Sequence, residues 1–134
     1  MKAEVKALWL AALRSGKYEQ GQHALRVPGE QAGQYAYCCL GVLCDVFQKT
    51  TGQGRWVEAG NIAPFRSDND EFVATAEHDR NDQVLPEGVV EWAGLDQANP
   101  DLPSLAGADA DCLAAQNDSG ATFAEIADMI EADL

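Results

Sequence analysis

Apolar positions near the start of the chain recur at helical spacing. Val5, Leu8, Trp9, Ala12 and Leu13 share one face, and Arg14-Ser15-Gly16 follows with a basic last turn and a glycine stop. This predicts a first helix over about residues 2–15. Gln22–Val27 is short, ends at Pro28-Gly29 and reads as a strand or an extended arm, with Gly29–Gln34 as turn material. From Tyr35 to Phe47 the chain is apolar almost without interruption, too long for a typical strand. A buried helix over about 37–50 is predicted, stopped by Gly52, in which Gly41 permits a close backbone approach at some cost in helix propensity.

The pattern then changes. Gly54–Ala59 and Glu71–Ala76 each hold a β-favouring cluster, Trp56-Val57 and Phe72-Val73, and are predicted to pair as a short antiparallel hairpin across a polar, proline-containing loop. Glu77–Gln83 is a solvated loop by composition, and Leu85-Pro86-Glu87 opens a short helix with proline in its first turn, ending by Gly94. An irregular connection rich in proline leads to another short helix from Asp109 to Gln116, broken by Asn117-Asp118-Ser119-Gly120. Thr122-x-x-Glu125 ahead of Phe123, Ile126, Ala127 and Ile130 is a capping-box pattern, so the last helix covers about 122–132. The sum is one mainly helical α+β domain over residues 1–134 with a short antiparallel hairpin.

Composition adds constraints on partners. A chain of 134 residues buries roughly two-thirds of its unfolded surface, so its core requires no metal, disulfide or cofactor to form. Its 22 acidic and 9 basic side chains give a net charge of -13, which disfavours direct nucleic-acid binding because phosphates call for a basic surface. The imbalance is uneven. Residues 1–27 hold five basic side chains, Lys2, Lys6, Arg14, Lys17 and Arg26, against Glu4 and Glu19. An anion site is expected to draw on that segment. Met1–Leu13 carries Glu4 and Lys6 and is not followed by a cleavage site of the secretory kind, and no apolar run is long enough to span a membrane. Cys38, Cys39 and Cys44 sit in an apolar stretch and Cys112 stands apart, which reads as reduced thiols in a cytoplasmic protein.

Two constellations carry a resemblance. Trp9 with Ala12-Leu13-Arg14-Ser15-Gly16-x-Tyr18-x-Gln20 and Tyr37-Cys38-Cys39-Leu40-Gly41-Val42-Leu43-Cys44-Asp45 is similar to a family of small uncharacterised phage and prophage proteins. Leu85-Pro86, Trp92-Ala93-Gly94-Leu95 and Asn117-Asp118-x-Gly120-x-Thr122-Phe123-x-Glu125-Ile126-Ala127 resemble that family's C-terminal half. The resemblance implies a phage context, a host-cell cytoplasm and the kinds of work that small accessory phage proteins do. These are sequestering a nucleotide immune signal, occupying a host defence protein and mimicking DNA.

Candidate chemistry is sparse. Cys39-Leu40-Gly41-Val42 opening a helix is similar to the nucleophile helix of NlpC/P60 cell-wall amidases, with His78 as the only downstream histidine. Core packing is the competing account of Cys39, since free cysteine behaves as a small buried hydrophobe. Adjacent Cys38 and Cys39 lack zinc-ligand spacing, and His23 and His78 read as surface residues, so no metal site is predicted. Asp68, Asp70, Glu71, Asp79, Asp82, Asp109 and Asp111 fall in loops or helix starts, where acids cap and solvate. No catalytic set emerges. What stands out is the turn after the first helix, where Arg14, Lys17, Tyr18 and Gln20, with Arg26 further on, gather cations, a phenol and an amide that could hold phosphates and stack a base. Asn117 and Ser119 offer a second anion-binding element beside a helix start. A helix cap and turn with a solvated Lys17 is the plain account of the same residues. The function expected is a non-enzymatic, oligomeric immune-evasion protein sequestering a small nucleotide-derived signal. The alternatives are an acidic DNA mimic or inhibitor of a host nucleic-acid enzyme, and a Cys39-dependent hydrolase.

Overall fold

The computed structural model describes residues 1–56, the backbone of 65–66, 84–107 and 110–134. The strand expected at Phe72-Val73, His78 and the acids Asp68, Asp70, Glu71, Asp79, Asp82 and Asp109 lie outside the described residues. The described elements run α1 (Ala3–Arg14), β1 (Glu19–Gln20), β2 (Arg26–Pro28), β3 (Tyr35–Tyr37), α2 (Cys39–Thr51), β4 (Arg55–Trp56), β5 (Phe65–Arg66), α3 (Glu87–Ala93), α4 (Leu113–Asp118) and α5 (Phe123–Asp133). This is a mainly helical α+β domain. No helix among the described residues is long and apolar enough to cross a membrane.

Helix α2 is the centre of the core. Every residue from Cys39 to Phe47 is buried, so neighbours surround it on all sides rather than along one stripe. Val5, Trp9 and Leu13 of α1, Val89 and Ala93 of α3, Leu113 of α4 and Phe123, Ile126, Ala127 and Ile130 of α5 close the same cluster. The approach at Gly41 is tighter than side chains allow: a Cβ there would lie 1.8 Å from the carbonyl oxygen of Leu25. The expected close backbone contact at Gly41 is therefore present, and Leu25 supplies it. At the far end Gly52 adopts φ 72°, the left-handed turn that stops the helix.

Four expectations change in detail. Tyr35–Tyr37 is a strand rather than lead-in to the helix, because β3 pairs on both edges, parallel with β1 and antiparallel with β2, in a three-stranded sheet ordered β1-β3-β2. Trp56 does sit in an antiparallel pair, but its partner is Phe65 rather than the more distant cluster. Pro86 is the residue before α3, so its missing N–H lies just outside the helix rather than in the first turn. Asn117 and Asp118 continue α4 instead of breaking it, since the Asn117 side chain is anchored in the interior and the chain turns only at Ser119 and Gly120. The start of α5 is as the capping box requires: Thr122 Oγ1 accepts the N–H of Glu125, and the Glu125 carboxylate accepts the N–H of Thr122.

Candidate functional site

The segment from Ser15 to Gln20 leaves the C-terminus of α1, runs past α2 and joins the edge of β3. Gly16 at φ 73° makes the turn, and β1 docks by only two residues. Between this segment, α1, β3 and α2 lies an open cleft of ≈ 490 Å³, lined by Ala11, Ala12, Ser15, Lys17, Tyr18, Tyr37, Asp45 and Lys49. That size falls in the range of small-molecule sites.

The polar centre of the cleft joins three side chains from two segments. Tyr18 donates its hydroxyl to Asp45 Oδ2 at 2.5 Å, and Lys49 Nζ stands 2.8 Å from the same oxygen. Asp45 and Lys49 are one helical turn apart on α2, the spacing at which opposite charges meet. Lys49 Nζ also donates to the Tyr18 oxygen at 3.3 Å and lies 5.2 Å from the ring centre. Asp45 is 6% exposed, so its charge depends on these partners. Burial and the bond to Asp45 push the Tyr18 hydroxyl up to about 12, which keeps it a protonated donor at neutral pH. The bond to Asp45 raises the Lys49 ammonium above the usual lysine range.

An aromatic row extends from this centre. Tyr18 meets Tyr37 edge to face at 5.2 Å, and Tyr37 meets Trp56 at 5.7 Å. The guanidinium of Arg26 stacks 3.7 Å from the Tyr35 ring centre and 4.6 Å from that of Trp56. Burial raises the Tyr37 hydroxyl, with the carboxylate of Asp45 adding to the effect.

The residues expected to bind a ligand therefore do not share one place. Lys17 and Tyr18 line the cleft, and Arg26 sits behind it, clasped by aromatic rings. Arg14 turns to α5, where it meets Asp128 at 2.9 Å and Glu131 at 2.6 Å. Gln20 and Asn117 join each other. Gln20 Nε2 donates to Asn117 Oδ1 and to the carbonyl of Ala121, while Asn117 accepts the N–H of Cys39 and donates to the carbonyl of Gly21. Ser119 is exposed at the end of α4 and does not line the cleft.

Sequence reasoning missed Tyr37, Asp45 and Lys49. One signal was present: Asp45 is the sole charged residue in the apolar run from Tyr35 to Phe47, and a carboxylate inside a buried helix needs a partner.

Cys39 does not have the surroundings of a nucleophile. Its thiol is fully buried and its Sγ lies 3.6 Å from the carbonyl oxygen of Leu113. Burial holds its pKa well above the usual thiol range, and raises that of Cys38 to about 11. Cys38 instead caps α2 by accepting the N–H of Gly41. Among the described residues no cluster of histidine, cysteine and acidic side chains could hold a metal ion.

Fold and cleft together define a small α+β domain with an aromatic, lysine-rimmed pocket. The chain belongs to the family described as Domain of unknown function (DUF8296), whose model matches residues 1–134. No curated protein and no solved structure matches it.

Proposed function

We propose that this protein binds a small nucleotide-type ligand in the Tyr18–Asp45–Lys49 cleft and holds it without turnover, as a phage-type immune-evasion protein acting in the host cytoplasm. The observation that carries the reading is the lining itself. Two lysines, two phenol rings and one buried carboxylate surround a space of ≈ 490 Å³. Lysines act as point charges for phosphate, and phenol faces accept a base without demanding its identity. The phage context comes from the motifs that resemble small prophage proteins. Binding without turnover is supported by Tyr18, whose hydroxyl stays a protonated donor, and by the burial of Cys39 in the core away from the cleft lining.

The acidic-mimic reading rests on the net charge of -13 and has less local support, because Asp128 and Glu131, two exposed acids of α5, are already paired with Arg14. The test is incubation of the purified protein with cyclic nucleotides and ADP-ribose, followed by calorimetry and by chromatography of what heating releases. Recovery of an intact nucleotide, with weaker binding in Lys17→Ala, is expected. Absence of binding, or conversion of the nucleotide, would overturn the proposal.

A further inference from the structure

We infer that the Asp45 carboxylate is the acceptor for a sugar hydroxyl in this cleft, so that the ligand it favours is a ribonucleotide over the matching deoxyribonucleotide. This rests on the nucleotide reading of the same cleft.

The two oxygens of Asp45 are in different states. Oδ2 receives the Tyr18 hydroxyl at 2.5 Å and faces the Lys49 ammonium at 2.8 Å, which fills its capacity. Oδ1 receives no hydrogen bond from any described residue, although the side chain is nine-tenths buried and lines the cleft. It is not one of the buried side-chain atoms that lack a partner, so it faces solvent on the open side of the cleft, where a donor brought by a ligand would take the place of water.

The chemistry of that donor is narrow. A phosphate would meet a like charge at Asp45. An added cation is not needed, because Lys49 already balances the carboxylate. A guanine edge offers two N–H groups side by side and calls for both oxygens of a carboxylate, one of which is occupied. A single neutral donor such as a hydroxyl fits what remains. Ribose carries such hydroxyls a few bonds from its phosphate, so one ligand can reach Asp45 with its sugar and Lys17 with its phosphate. A carboxylate that reads a ribose hydroxyl is an established solution in nucleotide sites of other folds.

The experiment measures calorimetric affinities for ADP and GDP and for their 2′-deoxy and 3′-deoxy forms. With the wild-type chain, removing one of the two hydroxyls is expected to weaken binding about tenfold or more, the effect of one hydrogen bond to a charged group. In Asp45→Ala that ratio should fall towards one, and in Asp45→Asn, which preserves volume, it should shrink. Circular dichroism checks that each variant is folded, and Asp45→Asn decides if Asp45→Ala is not. Equal wild-type affinity for all sugar forms overturns this inference and leaves the nucleotide reading standing, as does a ratio unchanged in a folded Asp45 variant. Failure of every nucleotide to bind overturns both.

Discussion

The side-chain oxygen of Asn117 accepts the backbone N–H of Cys39 at 3.1 Å, so the last turn of α4 caps the first residue of α2 across 78 positions of sequence. Helix N-termini carry N–H groups with no partner inside the helix, and a buried one has to find a partner elsewhere. At α2 the two found are Asn117 for Cys39 and the Cys38 thiol for Gly41.

Replacing Asn117 with alanine would strand the Cys39 N–H and the Gly21 carbonyl in the interior. The expected loss is roughly 2–3 kcal/mol of folding stability, read from urea denaturation. A midpoint equal to wild type would show that the amide is not holding these segments together.

Gly41→Ala is expected to be far more damaging. Its methyl group would need to sit 1.8 Å from the Leu25 carbonyl oxygen, a backbone atom with no rotamer to escape into. Failure to fold, or a loss of about 4 kcal/mol or more, is the outcome expected of a core clash of this kind. A Gly41→Ala chain melting within a few degrees of wild type would contradict the contact.

Alkaline pH should loosen the cleft before neutral or mildly acidic pH does. Tyr18 has its hydroxyl raised from 10.0 to about 12 in the fold. A pKa raised on folding gives stability that is fully present below the unfolded value and is lost as pH climbs through the folded one. The window is therefore about pH 10 to 12. Tyrosine absorbance should show late titration of both Tyr18 and Tyr37, with one late phenol fewer in Tyr18→Phe, and a Tyr18→Phe titration identical to wild type would refute the assignment.

Thiol labelling should separate the cysteines by position. Iodoacetamide at neutral pH is expected to modify Cys112, which is partly exposed, and to spare Cys38, Cys39 and Cys44 until urea is added. Mass spectrometry of the folded protein checks this. Early labelling of Cys39 would return the hydrolase reading to consideration.

Arg14→Ala is expected to leave both the denaturation midpoint and nucleotide affinity close to wild type. Its guanidinium pairs with Asp128 and Glu131 at the surface, where solvent and salt screen the attraction. A large loss of binding in this variant would place the ligand on the α1–α5 side instead.

Much of the helical scaffold was legible because its signals are local. The spacing of Val5, Trp9 and Leu13, the Thr122 to Glu125 capping box and the stops at Gly52 and Gly94 each lie within one or two turns of chain. The Tyr35–Tyr37 strand was hidden because its residues extend the apolar run of α2, and only pairing with β1 and β2 distinguishes them. Asn117 was hidden by its neighbours: Asn-Asp-Ser-Gly has the composition of a turn, and burial against Cys39 is a long-range event. The cleft was half legible. Lys17 and Tyr18 are adjacent in sequence, but Tyr18 finds Asp45 at a separation of 27 residues, which no local pattern encodes.

The short parallel strand β1 has a consequence for any mutational map of the cleft. Tyr18 and Lys17 hang on a strap whose far end is fastened by two backbone pairings and by the grip of Asn117 and Ala121 on Gln20. Slackening that fastening would let the phenol drift from Asp45 without touching a single residue of the pocket. Variants at Gln20 or Asn117 would then mimic ligand contacts in a screen scored on binding alone, so proximity to the ligand has to be established by the identity of the sugar or base whose discrimination is lost.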